Sequence, residues 1–522
     1  MMQVVLSWRL SRTGATVGCA ESSMEYPSLL SLGRLLAGGL GAALCTLLGL
    51  PVHASGALEI AGAPTSSNGM TSRSLGRHAE TAYFNPGLLP RTGPLVEVGY
   101  FLLHVHGNIR LDPRPDGVDV PPSLYDAEIR NPNGSVSRLN LRPLATEDLP
   151  NARQSTLTRD TSSYALVGIA RPLFQDAVTF GLFAILPTRG VLSQHGFFAD
   201  EREQFFSNRL DFEMLGDRTS LSSFALAIGG RPWRWLGIGV GANLALSTTT
   251  RFEIYVPDAA DQRTLLLNPD MSTSASFAPY GGVALQPSDK LTVAATLHAP
   301  VSADVSGENL VRFWNYNYPD DEQFVRQTYI FSQCYQPLRV GFGAAWTHRN
   351  TDSGDSDWQL GMQTVLRRWS QYQNRHGARP EEPFDDTLEI SVGGAFTNPI
   401  GLLSLDLGFV PSPVPDQVGR TSYVDNDRLM AQAGLEIPLE VFGSETSVGV
   451  YLQGQLLVPR KTSKRANALH PVIDEFPDAS TDFVTGDPIA GAEGLQTNNP
   501  GYPGYESSGW MMGAGLAFRL PQ

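Results

Sequence analysis

The segment "HVHG" sets His104 and His106 two positions apart, so in an extended chain both imidazoles share one face and could grip a metal ion. No third ligand accompanies them, so the pair reads as structural and no metal is expected. Three arginines, Arg339, Arg367 and Arg428, alternate with apolar neighbours. A guanidinium there could fork onto a carboxylate head group or pair with one of the chain's many acids. The run Asp425, Asn426, Asp427 and Arg428 crowds acceptors and a cation into four consecutive positions. There is no Gly-x-Ser-x-Gly elbow, Walker loop or paired cysteine motif, so neither catalysis nor a cofactor is expected. A hydrolase on a membrane scaffold needs no such elbow and stays open as an alternative.

These side chains stand on segments with a period of two. In "WLGIGVGANLALS", Trp235 to Ser247, the residues Leu236, Ile238, Val240, Ala242, Leu244 and Leu246 make one face. The other, with Gly237, Gly239, Gly241, Asn243, Ala245 and Ser247, is nearly bare. The same alternation sets Leu338, Val340, Phe342, Ala344 and Trp346 against Arg339, Gly341 and Gly343, and Leu403, Leu405 and Leu407 against Ser404, Asp406 and Gly408. About fourteen such segments recur, an even number as in bacterial single-chain barrels. They cover 95–107, 160–171, 176–187, 221–232, 235–250, 272–286, 290–303, 335–348, 356–370, 386–397, 401–411, 427–438, 444–459 and 508–520. Each is long enough to cross a bilayer as a tilted strand, which takes about 9 to 11 residues.

Short connections such as "RPWRW", "QPSDK" and "TNPIG" alternate with long ones, 108–159, 188–220, 304–334 and 460–507. Short turns on one side and long loops on the other describe an all-β fold, a transmembrane antiparallel β-barrel with both chain ends on the periplasmic, short-turn side. The apolar face of each strand should then meet lipid, and Gly237, Gly239, Gly241, Arg339, Arg367 and Arg428 should face the lumen.

Composition agrees. Charged residues make up 17% of the 522, below the usual quarter, while 52 Gly and 37 Pro supply turns. A net charge of -14 with no lysine patch argues against nucleic acid as a partner. The run Leu35 to Ala54 follows Arg34 and ends in Val52-His53-Ala54, so residues 1–54 are expected to be a signal peptide, with Met24 an alternative start and a membrane anchor the competing reading. Beyond it only Cys334 remains, which leaves no internal disulfide to stabilise an exported chain.

Between that segment and the first strand lies "SSNGMTSRSLGRHAETAYFNPGLLPR", Ser66 to Arg91. It is too polar for a membrane strand and too long for a simple tail, which suits a piece folded inside a barrel. Residues 55–94 are accordingly assigned as an N-terminal plug and 95–522 as the barrel. Its Gly-containing stretch, its acidic residue followed by small ones and "FNPGLL", Phe84 to Leu89, resemble the N-terminal plug of the FadL-like long-chain fatty acid transporters of Gram-negative outer membranes. The stretch Phe409 to Leu439, with Asp425-Asn426-Asp427-Arg428 inside it, is similar to a strand end and following element of that family. So are the hairpins Gly281 to Gly307 and Arg231 to Ser247. "GWMMGAGLAFRL", Gly509 to Leu520, resembles the closing strand by which barrels are recognised for assembly, except that Pro521 and Gln522 follow where an aromatic residue usually ends the chain.

The resemblance implies a fourteen-stranded barrel that admits hydrophobic small molecules by passive diffusion, with Asn85, Pro86 and Gly87 in the moving plug. Long-chain fatty acids are the first substrate class it implies and aromatic hydrocarbons the second. The expected surroundings are outer-membrane lipid and lipopolysaccharide, and the expected state is a monomer. Two aromatic-rich loops are candidate ligand grooves. One, His195 to Gly216, carries Phe197, Phe198, Phe205 and Phe206, with a short amphipathic helix expected over 199–210; the other carries Phe313, Trp314, Tyr316 and Tyr318. The competing role for these rings is the loops' own packing, since a long ordered loop needs a core. A nonspecific aqueous porin and a purely structural barrel are the alternatives in function.

Overall fold

A sheet whose apolar face meets lipid cannot keep a free edge, because unpaired N–H and C=O groups find no water there. The chain meets this demand by closing on itself. The computed structural model describes residues 57–64, 69–111, 128–130, 136–138, 154–158, 161–173, 177–188, 211–212, 222–257, 266–313, 323–350, 356–373, 379–380, 382–416, 423–441, 443–463 and 504–521. The expected signal segment lies outside the described residues.

Fourteen antiparallel strands form the barrel. In chain order they are β1 (Leu95–Leu111), β2 (Ser162–Leu173), β3 (Val178–Pro187), β4 (Ser223–Trp233), β5 (Leu236–Val256) and β6 (Leu266–Ser288). Then come β7 in two pieces (Leu291–His298 and Val301–Phe313), β8 in two pieces (Gln323–Gln336 and Arg339–Asn350), β9 (Ser356–Arg367), β10 (Thr387–Asn398), β11 (Gly401–Val410), β12 (Arg428–Val441), β13 (Ser444–Ser463) and β14 (Gly504–Pro521). Sequential strands pair, and β1 closes the ring against β14 from Leu95 opposite Pro521 to Leu111 opposite Tyr505.

Alternation sorts the side chains as a membrane barrel requires. In β11 the outward Leu403, Leu405 and Leu407 are 58%, 58% and 51% exposed, whereas the inward Ser404 and Asp406 are 3% and 0% exposed. In β5 Ile238 and Val240 point outward and are exposed, while Leu236 is covered at the short-turn rim. Aromatic rings mark the two ends of the apolar band. Trp233 and Trp235 stack at the β4–β5 turn with centroids 5.6 Å apart, and at the other end the His104 and His106 rings lie 5.3 and 5.4 Å from Trp510 on the outer face. The histidine pair thus stands in an aromatic girdle.

The wall departs from the expected strand map in one region. Residues 304–334, read above as a long loop, mostly form a hairpin of the second piece of β7 against the first piece of β8. Proline supplies no N–H to a ladder, and Pro300 and Pro337 interrupt both strands at the same level. Below that level the wall is regular: β7 pairs with β6 and β8. Above it the hairpin leaves β6 and runs parallel to β5, Val305 opposite Thr248 through Phe313 opposite Val256, on the edge that β4 occupies lower down. Among the described residues, the edge of β6 from Leu266 to Ala278 that faces away from β5 has no ladder partner. β5 and β6 also run longer than expected, to Val256 and from Leu266, and the connection 108–159 holds a short ribbon (Glu128–Arg130 with Val136–Arg138) and a strand, Gln154–Thr158, beside β1.

Depth in the membrane sets the cost of a charge on the outer face. Leu405→Arg, at mid-strand, should destabilise the barrel by about 2–4 kcal/mol, and Leu439→Arg, next to the β12–β13 turn, by about 0–1 kcal/mol. Urea titration of the protein folded into lipid bilayers measures both.

Candidate functional site

The N-terminal segment lies against the inward side chains of the barrel, with Leu58, Tyr83, Phe84 and Leu89 in one buried core with Phe101, Tyr164 and Phe183 of the wall. It forms three short helices, α1 (Ala57–Ala61), α2 (Ser72–Leu75) and α3 (Thr81–Phe84), then a tight helical turn, Pro86–Arg91. Helices of four or five residues leave most of their backbone groups unpaired, and buried groups need partners. Barrel side chains supply them. The Tyr451 hydroxyl donates to the Ala61 carbonyl at 2.6 Å, Gln455 to Ile60 at 2.8 Å, Ser391 to Met70 at 2.8 Å and Tyr280 to Ala82 at 2.6 Å. The Met70 N–H donates to Asp406 at 3.0 Å.

Asn85 follows α3 and caps the last helical turn, which begins with Pro86 and Gly87. The Asn85 side chain accepts from the Gly87 N–H at 3.0 Å and donates to the Arg73 carbonyl at 2.8 Å, tying the turn to α2. This turn rests on glycines of the wall. A Cβ on Gly239 would overlap the Pro86 carbonyl, one on Gly237 the Gly87 carbonyl oxygen, and one on Gly282 the Asn85 side chain. Gly241 is placed differently: a Cβ there would strike the Tyr280 ring. The bare face of β5 is therefore occupied by the plug's Asn-Pro-Gly turn.

Beside that contact is a buried cluster of charge. Tyr280, His298, Arg339 and Arg367 lie in one row, each opposite the next across β6, β7, β8 and β9. The row stands at the level where β7 and β8 break. Glu59 of α1 reaches into it. Its two oxygens each accept from Arg73 Nη2 at 2.9 Å, one accepts from Arg367 Nη2 at 2.9 Å, the other pairs with Arg339 Nη1, and the Tyr83 hydroxyl donates to it at 2.6 Å. Arg339 also donates to Tyr83 at 2.8 Å, and Arg367 to Glu389 at 2.9 Å. Glu59 is carried by the plug and not by a spanning strand. Burial alone would push its carboxyl up, but Arg339, Arg73 and Arg367 together outweigh burial and hold it well below the usual carboxylate range. Three guanidiniums thus face two carboxylates, Glu59 and Glu389. A cavity of about 50 Å³ adjoins them, lined by Glu59, Arg73, Arg367 and Glu389 together with apolar side chains including Leu58, Phe84 and Met430.

The architecture has solved counterparts. A Pseudomonas aeruginosa FadL homologue superposes with a TM-score of 0.51 over 90% of this chain and 99% of its own, at 11% identity. The barrel is FadL-like. The Pseudomonas putida toluene transporter TodX gives a TM-score of 0.42 at 10% identity, over 88% of this chain and 98% of its own. No family model matches the chain, and no curated protein matches it in sequence.

Within this FadL-like barrel the other residues singled out in the sequence fall in several places. Arg339 and Arg367 meet on Glu59; Arg428 is also buried but lies beside Asp425, at the long-loop end. There the Asp425–Arg428 run staples strand tops together. The Asn426 amide donates to the Val458 and Ser507 carbonyls at 2.9 and 3.1 Å, and Asp427 accepts from the Ser412 N–H at 2.7 Å. Phe197, Phe198, Phe205, Phe206, Trp314, Tyr316 and Tyr318 lie outside the described residues, as does the expected helix at 199–210. Phe313 ends the second piece of β7. Glu59, Arg73, Tyr83, Tyr280, His298 and Glu389 were not singled out. Only strand parity at 298, 339 and 367 hinted at them, and parity says nothing of the partner that enters from another segment.

Removing one partner of a buried ion pair leaves the other charge uncompensated. Arg339→Leu should destabilise the barrel by about 3–5 kcal/mol, read by urea titration in detergent or lipid. Gly239→Val should leave a heat-modifiable barrel whose plug is displaced, so that trypsin cuts at Arg73, Arg77 or Arg91 in the variant and not in the parent protein.

Proposed function

We propose that this FadL-like barrel takes up hydrophobic compounds, long-chain fatty acids among them, across the outer membrane of a Gram-negative cell by passive diffusion. The reading is carried by the plug that fills the lumen at the level where the wall is broken. A water-filled pore gives a greasy molecule no gain, whereas each buried methylene is worth about 0.8 kcal/mol. A path past a movable plug, with apolar surface along it, suits such a cargo. The β6 edge left by the Pro300 and Pro337 break lies above the Tyr280–Arg367 row and is a natural flank for that path. A nonspecific porin would want an open lumen.

In this reading residues 1–54 direct export, 55–94 form the plug, 95–522 form the barrel, and the Asn85-Pro86-Gly87 turn seated on Gly237 and Gly239 is where the plug must yield. The protein acts as a monomer surrounded by outer-membrane lipid and lipopolysaccharide. Proteoliposomes carrying the purified protein should take up hexadecanoate several-fold faster than empty vesicles. If neither hexadecanoate nor toluene enters faster while ion conductance is present, the protein is a porin and the uptake reading is wrong.

A further inference from the structure

Glu59 is a carboxylate that the plug itself delivers to three guanidiniums. Two of these, Arg339 and Arg367, belong to the wall, and the third, Arg73, to the plug. The site stays positive after Glu59 and Glu389 are counted. It also retains spare donors: Arg339 Nε and Nη2 are buried with no hydrogen-bond acceptor among the described residues, on a side chain that is 0% exposed. The adjoining cavity offers both kinds of surface that an amphiphile needs: Arg73 and Arg367, with Glu59 and Glu389 beside them, and the apolar Leu58, Met70, Phe84 and Ile390. At about 50 Å³ it is far below the ~300 Å³ at which ligand pockets begin, so a long molecule fits only if part of the plug withdraws. Leu58 and Glu59 sit next to each other on α1 and both line the cavity, so withdrawal of that helix would free the guanidiniums and widen the cavity together.

Resting on the uptake reading above, we propose that the Arg73–Arg339–Arg367 cluster is a carboxylate-binding station for amphiphilic cargo. The Glu59 carboxylate holds its place until the head group of an acyl carboxylate replaces it and releases α1. The exchange substitutes one carboxylate for another, so no buried guanidinium is left uncompensated along the way. A neutral hydrocarbon or an ester offers no such replacement, and the station therefore discriminates by head group and not by chain length.

The test compares hexadecanoate with methyl hexadecanoate on the full-length protein in detergent. Hexadecanoate should raise amide hydrogen exchange across Ala57–Ala61 in the parent protein, and the ester should not. Glu59→Gln removes the internal competitor, so this variant should bind hexadecanoate at least about tenfold tighter with ester binding unchanged. The proposal is overturned if hexadecanoate leaves exchange at α1 unchanged, or if a heat-modifiable Glu59→Gln barrel keeps the parent's ratio of acid to ester affinity. Should Glu59→Gln not fold, the exchange comparison on the parent protein decides alone. Uptake of both compounds without release of α1 would sink the station and leave the uptake reading standing. Release of α1 by the acid alone, without uptake into proteoliposomes, would keep the station and sink the uptake reading.

Discussion

The interior of this barrel is organised by one carboxylate among three guanidiniums. Taking ions out of water is costly, and the cost is offset only when geometry is good and each charge keeps partners. Glu59 satisfies this with Arg73, Arg339, Arg367 and the Tyr83 hydroxyl. Arg339 has its acid from inside the lumen, in Glu59, while Arg367 shares Glu59 with the wall acid Glu389. The position of α1 in the barrel therefore follows from where β8 and β9 place Arg339 and Arg367 opposite each other. A second set of charges acts the same way nearer the short-turn rim, where Arg519 pairs with Glu97 at 3.0 Å and with Glu436 at 3.1 Å, and His78 of the plug meets Glu436 at 3.1 Å.

Close approach is the companion constraint. The Asn85-Pro86-Gly87 turn lies against wall backbone, and Gly237, Gly239 and Gly282 are the positions where a side chain would collide with it. The segment is held both by apolar packing, with Leu58, Tyr83, Phe84 and Leu89 in one buried core with Phe101, Tyr164 and Phe183 of the wall, and by the charge and backbone contacts described above.

The break in β7 and β8 connects the wall to this interior. Pro300 and Pro337 remove ladder donors at one height, and above them β7 joins β5 in place of β6 and carries the first piece of β8 with it. The charged row lies at that height. The irregular part of the wall and the N-terminal segment thus meet around Tyr280 and His298, whose rings stack with centroids 4.8 Å apart.

The period-two pattern in the sequence was enough to place the fourteen strands, because lipid on one side and lumen on the other impose opposite chemistry on successive residues. It assigned Ile238, Val240 and Leu405 to the outside, and Gly237, Gly239, Arg339 and Arg367 to the inside. It misread 304–334 as loop, since prolines that stop a strand look the same whether a turn or a redirected hairpin follows. Register, and the identity of what fills the lumen, were decided only by the tertiary structure. Arg339 and Arg367 are 28 positions apart and Glu59 is some 280 before the first of them. Nothing local in the chain encodes their meeting, which comes from closing the sheet around a segment that cannot satisfy its own buried groups.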